Sequence, residues 1–169
     1  MKKIFLLISL LITLIIGCTD NTLISPDIQS DHKNWLPLQN NSLQKISDEI
    51  VSKEINGARG GVITFNLGVL IIPRRAFQGT ETITVANNNE FAVVDFGPSM
   101  QFDKDVSCTV IYKDINLDGF NPSDIDFGFM DGNNFVPVDY DRLIVDTKKG
   151  YLAVINAKFD HFSRYGFTW

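Results

Sequence analysis

The stretch "DHFSRYGFTW", Asp160 to Trp169, places a histidine, an aromatic residue and a serine in a row. A serine hydroxyl next to a base is a combination that can attack a carbonyl carbon. The stretch therefore has two interpretations. It is either a site at which the backbone cuts itself, or the last strand of a sandwich whose side chains only pack.

The alternation of side chains in this stretch bears on both interpretations. Strict alternation places His161 and Ser163 on the inner face and leaves Phe162 outside. A bulge between Phe162 and Tyr165 would bring Phe162 inside as well. Such a bulge suits the strained bond of a cleavage site, and it also suits a structural strand in which His161 pairs with Asp160 or a backbone carbonyl.

A second candidate site is the acidic loop "DINLDGF", with Asp114, Asn116 and Asp118 at alternate positions before Gly119. Three oxygen side chains two residues apart can converge on one calcium ion, and glycine permits the sharp turn. Position twelve of such a loop should be a glutamate, but it is Ile125. The alternative, which the sequence favours, is a hairpin loop in which Asn and Asp form turns.

Conventional enzyme motifs are missing from the sequence. His32 and His161 lack a metal-ligand spacing, and the sequence contains neither a phosphate-binding glycine loop before a helix nor a Gly-x-Ser-x-Gly elbow. Cys108 belongs to "DVSCTVIY", where it shares the apolar face with Val106 and Val110, so we expect a buried thiol and not a nucleophile. Apart from self-cleavage, we predict no enzymatic activity. We also predict no bound cofactor.

The positions of these residues depend on short strands with turn signals between them. From Glu49 onward the apolar pattern has a period of two, and the turns contain Gly, Asn and Asp. We predict an all-β fold, an antiparallel β-sandwich of about ten short strands over residues 49–169.

The N-terminus, "MKKIFLLISLLITLIIGCTD", has two lysines, an apolar run from Ile4 to Ile16, then Gly17 and Cys18. The run is shorter than the roughly 20 residues of a membrane-crossing helix, and its flanks are those of a cleavable signal. The residues before Cys18 resemble the lipobox of bacterial lipoproteins. The resemblance implies removal of residues 1–17, a lipid-modified Cys18 carrying palmitate or similar acyl chains, and an outer-membrane or outer-surface location.

Residues 18–48 are predicted to be a lipidated N-terminus and polar tether. Their apolar residues show no steady period, apart from Trp35, Leu36 and Leu38 in "NWLPL", which we expect to dock on the domain. Loss of Lys2 and Lys3 leaves 13 basic and 20 acidic side chains, a net charge of −7. That sign argues against nucleic acid as the partner, so the expected contacts are the membrane, through Cys18, and an envelope protein or glycan.

Three patches of the domain resemble the ZU-five module of ankyrins, netrin receptors and tight-junction scaffolds: "GGVITFNLGVLIIPRRAFQGTETITV", "FGPSMQFDKDVSCTVIY" and "DHFSRYGF". Arg75 stands where the family usually has glycine, and Asp105 where proline is common. The resemblance implies a sandwich that serves as a binding or mechanical connector. Some animal relatives cut themselves within a matching His-Phe-Ser, which maps the cut onto the Phe162–Ser163 bond, with Ser163 as nucleophile and His161 assisting proton transfer.

We therefore expect a lipid-anchored envelope protein whose sandwich is a non-catalytic binding or scaffolding module. Two alternatives remain open: an autoproteolytic module that cleaves between Phe162 and Ser163, and a calcium-stabilised adhesin.

Overall fold

The computed structural model describes residues 34–38 and 49–169, and this part of the chain forms a β-sandwich of two antiparallel sheets. The all-β prediction is confirmed. The sandwich contains these strands: β1 (Ile50–Asn56), β2 (Gly61–Phe65), β3 (Gly68–Ile72), β4 (Thr80–Asn87), β5 (Val93–Gly97), β6 (Gln101–Tyr112), β7 (Asp126–Asp131), β8 (Asn134–Pro137), β9 (Arg142–Asp146), β10 (Tyr151–His161) and β11 (Arg164–Thr168).

The two sheets have the orders β1-β4-β5-β11-β7-β8 and β2-β3-β6-β10-β9. The long strands β6 and β10 form the centre of the second sheet, with Leu152 opposite Tyr112 and Phe159 opposite Val106. The only helical element in the described residues is a short 3-10 turn, Pro122–Asp124, which the Asn121 side chain caps by accepting from the Ser123 amide.

Strand β6 shows how the period of two builds the core. Val106, Cys108, Val110 and Tyr112 are each at most 1% exposed, as the alternation predicts. The strand continues through Asp105 without a break. These residues pack against apolar side chains of the facing sheet, where Phe127 and Phe167 are also fully buried.

Strand β10 contains a bulge that bends it across the sheet. Its pairing with β6 shifts register between Val154 and Ala157, and Asn156 there has a φ of 61°. The Asn156 amide donates to the Thr109 hydroxyl at 3.1 Å, and its side-chain amide donates to Asp141 at 2.7 Å. Asparagine tolerates the left-handed region better than most residues, and these two bonds hold it there.

The turn after Pro73 has an arginine, Arg75, in a backbone conformation that favours glycine. Arg75 adopts the left-handed conformation, with a φ of 65°, and its amide donates to the Gly57 carbonyl at 2.8 Å. The arginine therefore takes a backbone conformation that glycine adopts without steric cost.

Two side chains at the start of the domain, Lys53 in β1 and Glu49 just before it, bond to backbone groups of the β2–β3 hairpin. The Lys53 ammonium donates to the Val62 carbonyl at 2.9 Å, and the Asn66 amide donates to the Glu49 carboxylate at 2.8 Å. An uncovered edge strand presents unpaired backbone groups to other chains. Lys53 and Glu49 satisfy two of these groups on the β2 hairpin.

Residues 34–38, which we call the strap, are part of the folded domain. Leu36 is 0% and Leu38 7% exposed, so the predicted docking of "NWLPL" is confirmed for these two side chains. The Leu36 amide donates to the Phe167 carbonyl at 2.8 Å, and the Ala92 amide donates to the Leu36 carbonyl at 2.8 Å. The strap thus adds a short extended segment between the start of β5 and the end of β11.

Candidate functional site

The His161-Phe162-Ser163 stretch is the corner at which the chain passes from one sheet to the other. β10 ends at His161 in the five-stranded sheet, and β11 begins at Arg164 between β5 and β7 of the six-stranded sheet. The last strand of the sandwich is therefore β11, which begins only at Arg164, whereas Asp160 and His161 end the preceding strand β10. Phe159 of β10 and Tyr165 and Phe167 of β11 are all buried, so the alternation of the sequence continues across the corner.

Phe162 is buried at this corner, with 1% of its surface exposed. Phe162 lies inside, but because the chain turns from one sheet to the other there and not because of the predicted bulge between Phe162 and Tyr165; the register shift of β10 falls earlier, between Phe159 and His161. The Phe162 ring stacks on Phe96 at 5.6 Å and meets the edge of Phe102 at 4.6 Å between centroids. Such aromatic pairs stabilise a corner beyond the area that they bury.

The His161 ring is held by three neighbours. Its Nδ1 lies 2.6 Å from Asp160 Oδ1 and 3.4 Å from the Tyr165 hydroxyl. The ring meets Phe129 edge-on at 4.7 Å, and 20% of the side chain is exposed. Asp160 thus fixes the orientation of the imidazole, as a carboxylate does for histidines in proton-transfer sites.

Tyr165 connects the two strands of the corner. Its hydroxyl donates to the His161 carbonyl at 2.9 Å, and its ring stacks on Phe159 at 3.8 Å. Burial, followed by the charge of Asp160, raises the pKa of Tyr165, so the hydroxyl stays protonated as a donor. Sequence reasoning gave Tyr165 only a packing role. A hydrogen bond from the Tyr165 hydroxyl to a backbone carbonyl four residues earlier produces no periodic pattern in the sequence.

The backbone of the bond proposed for cleavage is hydrogen-bonded on both sides. The Phe162 amide donates to the Met100 carbonyl at 2.8 Å, and the Phe96 amide donates to the Ser163 carbonyl at 3.1 Å. Left-handed φ values of non-glycine residues in the described ranges occur at Arg75, Asp114 and Asn156 and not at the corner. The geometry places an oriented histidine two positions before a serine, in a backbone that is hydrogen-bonded to both sheets.

The acidic loop is arranged as a turn. The Asp118 amide donates to the Asn116 side-chain oxygen at 2.9 Å, an Asx turn, and Asp114 has a φ of 56°. Within residues 34–38 and 49–169, no group of three or more His, Cys, Asp or Glu side chains is arranged to hold a metal ion.

Cys108 is a packing residue in the centre of β6. It is 1% exposed, and burial raises the pKa of its thiol. A thiol in this state has little thiolate at neutral pH and reacts slowly. The predicted burial of this cysteine is confirmed.

Comparison of the whole chain with protein-family models and with curated proteins gave no match. The lipobox residues and Cys18 lie outside the described residues. Among those that are described, no helix has the length and apolar character needed to cross a membrane.

Proposed function

We propose that this protein is a lipid-anchored envelope protein that presents a non-catalytic β-sandwich for binding or scaffolding. The observation that carries the proposal is the order of two features in the sequence. An apolar run ends in Ile15-Ile16-Gly17-Cys18, and a residue of the sandwich core, Leu36, follows eighteen positions after Cys18. An anchor followed closely by a folded module is the arrangement expected of a protein that works at a membrane surface.

The distribution of shifted pKa values supports a non-catalytic module. The pKa values of Cys108 and Tyr112 are raised chiefly by burial in the core. The pKa of the Arg164 guanidinium is raised chiefly by its hydrogen bonds to Asp95, at 2.7 and 3.0 Å. Active sites commonly gather shifted groups in one cleft. Packing and one surface ion pair account for these three, and burial is also the first cause of the raised pKa values of Tyr140 and of Tyr165, which lies beside His161 at the corner.

The net charge of −7 after removal of residues 1–17 supports a protein or glycan partner over nucleic acid. The sandwich resembles the ZU-five module in its "GGVITF" and "DHFSRYGF" patches, and that family uses its sandwich as a connector. Fold resemblance alone names no partner, because binding depends on surface residues.

The anchor is tested by Cys18→Ser. We expect the variant to lose incorporation of labelled palmitate and to leave the detergent phase in which the parent chain partitions. If the variant still partitions with detergent, the lipoprotein assignment is wrong. Because Cys18 lies before the folded domain, the melting temperature of the domain serves as the control and should not change.

The binding role is tested with the soluble chain from Asp20 onward, immobilised and exposed to solubilised envelope fractions. We expect retention of a specific protein or glycan by the folded chain and not by the same chain after heat denaturation. Equal recovery from both would contradict a binding module and favour a passive spacer.

A further inference from the structure

The two sheets end at four edge strands, β1 and β8 in one sheet and β2 and β9 in the other. An edge strand presents unpaired backbone groups to other chains, and proteins commonly protect it with charges, proline or short length. The β1 and β2 edges contact each other, and the Lys53 ammonium donates across them to the Val62 carbonyl. Strand β8 has only four residues and ends at Pro137, which has no N–H to donate.

Strand β9, "RLIVD", is the edge without such protection in the described part of the chain. It pairs with β10 over all five residues with no shift of register, so it contains no bulge. It contains no proline, and its three central residues, Leu143, Ile144 and Val145, are all aliphatic. In residues 34–38 and 49–169, no side chain forms a hydrogen bond with its backbone. The backbone groups of β9 that point away from β10 can therefore pair with another strand.

The pairing with β10 decides which way the β9 side chains face. Leu143 and Val145 lie opposite fully buried residues of β10 and pack against the core. Because side chains alternate along a strand, Arg142, Ile144 and Asp146 share the outer face of the sheet. The three aliphatic side chains are only partly buried. A further strand on this edge would therefore bury apolar surface on both faces.

The order of residues in β9 is complementary to itself. If two copies of β9 pair antiparallel about Ile144, Arg142 of each copy lies opposite Asp146 of the other on the outer face. Leu143 then lies opposite Val145 on the core face, and the two Ile144 side chains lie opposite each other. Directly opposite side chains of antiparallel strands are close enough to interact, and pairs of opposite charges or of β-branched residues there are stabilising.

The charges of β9 favour the antiparallel direction. Parallel pairing would place the two Arg142 side chains together and the two Asp146 side chains together, and like charges repel. Arg142 is exposed and belongs to none of the ion pairs of the described residues. Asp146 has a surface pair with Lys149 at 3.5 Å, and because 81% of that lysine side chain is exposed, the pair is weak. Both charged side chains are therefore available to a second copy.

The segments on either side of β9 continue this pattern. Asp139 and Asp141 precede the strand, and Lys148 and Lys149 follow it. In the antiparallel arrangement, the segment before β9 of one copy meets the segment after β9 of the other, so acidic residues meet basic ones. Such complementarity guides encounter and fixes the register of two partners.

We infer that two copies of this protein associate through their β9 edges into a dimer with two-fold symmetry. The two five-stranded sheets then form one continuous sheet of ten strands. Dimers in which the same patch of both copies meets are the commonest oligomers. The dimer uses up the β9 edge, which explains why this edge lacks protection. The inference goes beyond the binding role proposed above and does not depend on the lipid anchor.

Sedimentation equilibrium of the chain from Asp20 onward, which retains every described residue, tests the dimer. We expect the mass to rise with concentration from one chain to two and no further, with a dissociation constant that is micromolar or weaker because the interface is small. Ile144→Lys places two like charges opposite each other at the centre of the pairing, and we expect association to weaken at least about a hundredfold. The matched control is Val62→Lys, at a 46% exposed aliphatic residue on the β2 edge of the same sheet, which should leave association unchanged.

Charge reversal tests the register. Arg142→Glu places like charges opposite each other at both ends of the pairing, and so does Asp146→Arg. Each variant alone should therefore associate at least about tenfold more weakly than the parent chain. In an equal mixture of the two variants, every charged pair across the mixed dimer is again of opposite sign, so we expect dimers to reappear with a dissociation constant close to that of the parent. Thermal unfolding checks that each variant is folded.

A parent chain that stays monomeric up to about 1 mM would overturn the inference, and so would association that Ile144→Lys leaves unchanged. Folded charge variants that do not associate in the mixture would contradict the pairing about Ile144. Growth beyond two chains would indicate head-to-tail association in place of a two-fold dimer and would also overturn it. Capture of an envelope component, which tests the binding role, is a separate measurement, so the two proposals can fail independently.

Discussion

The Tyr165 hydroxyl donates to the His161 carbonyl at 2.9 Å and so connects the end of β10 to β11 across the corner between the two sheets. Tyr165 itself is 0% exposed, and its ring stacks on Phe159. A carbonyl that loses such a donor at a partly buried position forfeits a hydrogen bond that water replaces only in part. The bond therefore stabilises the corner more than an equivalent bond at the surface would.

Tyr165→Phe removes this hydroxyl and keeps the stacked ring. We expect the free energy of unfolding to fall by about 1–2 kcal/mol, measured by urea denaturation. The matched control is Tyr140→Phe, which removes a hydroxyl that donates to Asp126 at 3.1 Å on the partly exposed surface. A loss in Tyr165→Phe no larger than in Tyr140→Phe would show that the corner does not depend on the bond.

Alkaline pH should destabilise the fold from about pH 10 upward. Burial raises the pKa of Tyr112 and of Tyr165 in the folded state, while unfolded tyrosine titrates near its ordinary value of about 10. Above that pH the unfolded chain has released protons that the folded chain retains, so the free energy of unfolding falls as pH rises. Below about pH 9 these two tyrosines do not change the free energy of unfolding as the pH varies, because both are protonated in the folded and unfolded chain.

Each such group contributes up to about 1.4 kcal/mol per pH unit once its unfolded form is ionised. The measurement is urea denaturation from pH 8 to 11. Tyr165→Phe should show a shallower fall than the parent chain. Parallel curves for the two proteins would contradict the assignment of Tyr165 to this slope.

Leu36→Ala tests the strap as part of the core. Leu36 is fully buried, so truncation removes apolar contacts and leaves a cavity, and we expect a loss of about 2–5 kcal/mol in unfolding free energy. Hydrogen exchange at the Ala92 amide, which donates to Leu36, should also become faster. Ile71→Ala, at a 43% exposed position, is the control and should change stability by no more than about 0.5 kcal/mol. Equal effects would show that the strap is dispensable.

Arg75→Gly should stabilise the protein by about 0.5 kcal/mol. The left-handed φ of 65° costs a side-chain-bearing residue about 1–2 kcal/mol, more than the entropy that glycine adds to the unfolded chain. Arg74→Gly is the control, because Arg74 is also exposed but is not among the residues with positive φ. It should lose about 0.5–1 kcal/mol. Thermal unfolding of both variants measures the difference, and a loss in both would contradict the strain at Arg75.

Intact mass distinguishes a packed corner from a self-cleaving one. We expect a single full-length mass after prolonged incubation and denaturation, because Phe162 and Ser163 are hydrogen-bonded to Met100 and Phe96. Denaturation is needed because a cut chain would keep β11 paired between β5 and β7. Loss of the seven residues Ser163 to Trp169, abolished in Ser163→Ala, would instead establish autoproteolysis.

Most strands of this protein follow from its sequence because they alternate and are bounded by turn residues. The alternation in "DVSCTVIY" predicted which four side chains of β6 are buried, including Cys108. Local periodicity and turn chemistry are properties of neighbouring residues, so a single sequence contains them. The same applies to Cys18, whose proposed lipidation depends on the residues directly before it.

The tertiary structure alone decided the corner at Phe162, the bond from Tyr165 to His161, and the place of the strap. Each depends on pairing between segments far apart in sequence, as when Leu36 bonds to Ala92 and Phe167. Such pairing leaves no periodic mark on either partner. A strand that ends in one sheet and a strand that begins in the other have the same alternation as one continuous strand, and only the packing of the two sheets separates them.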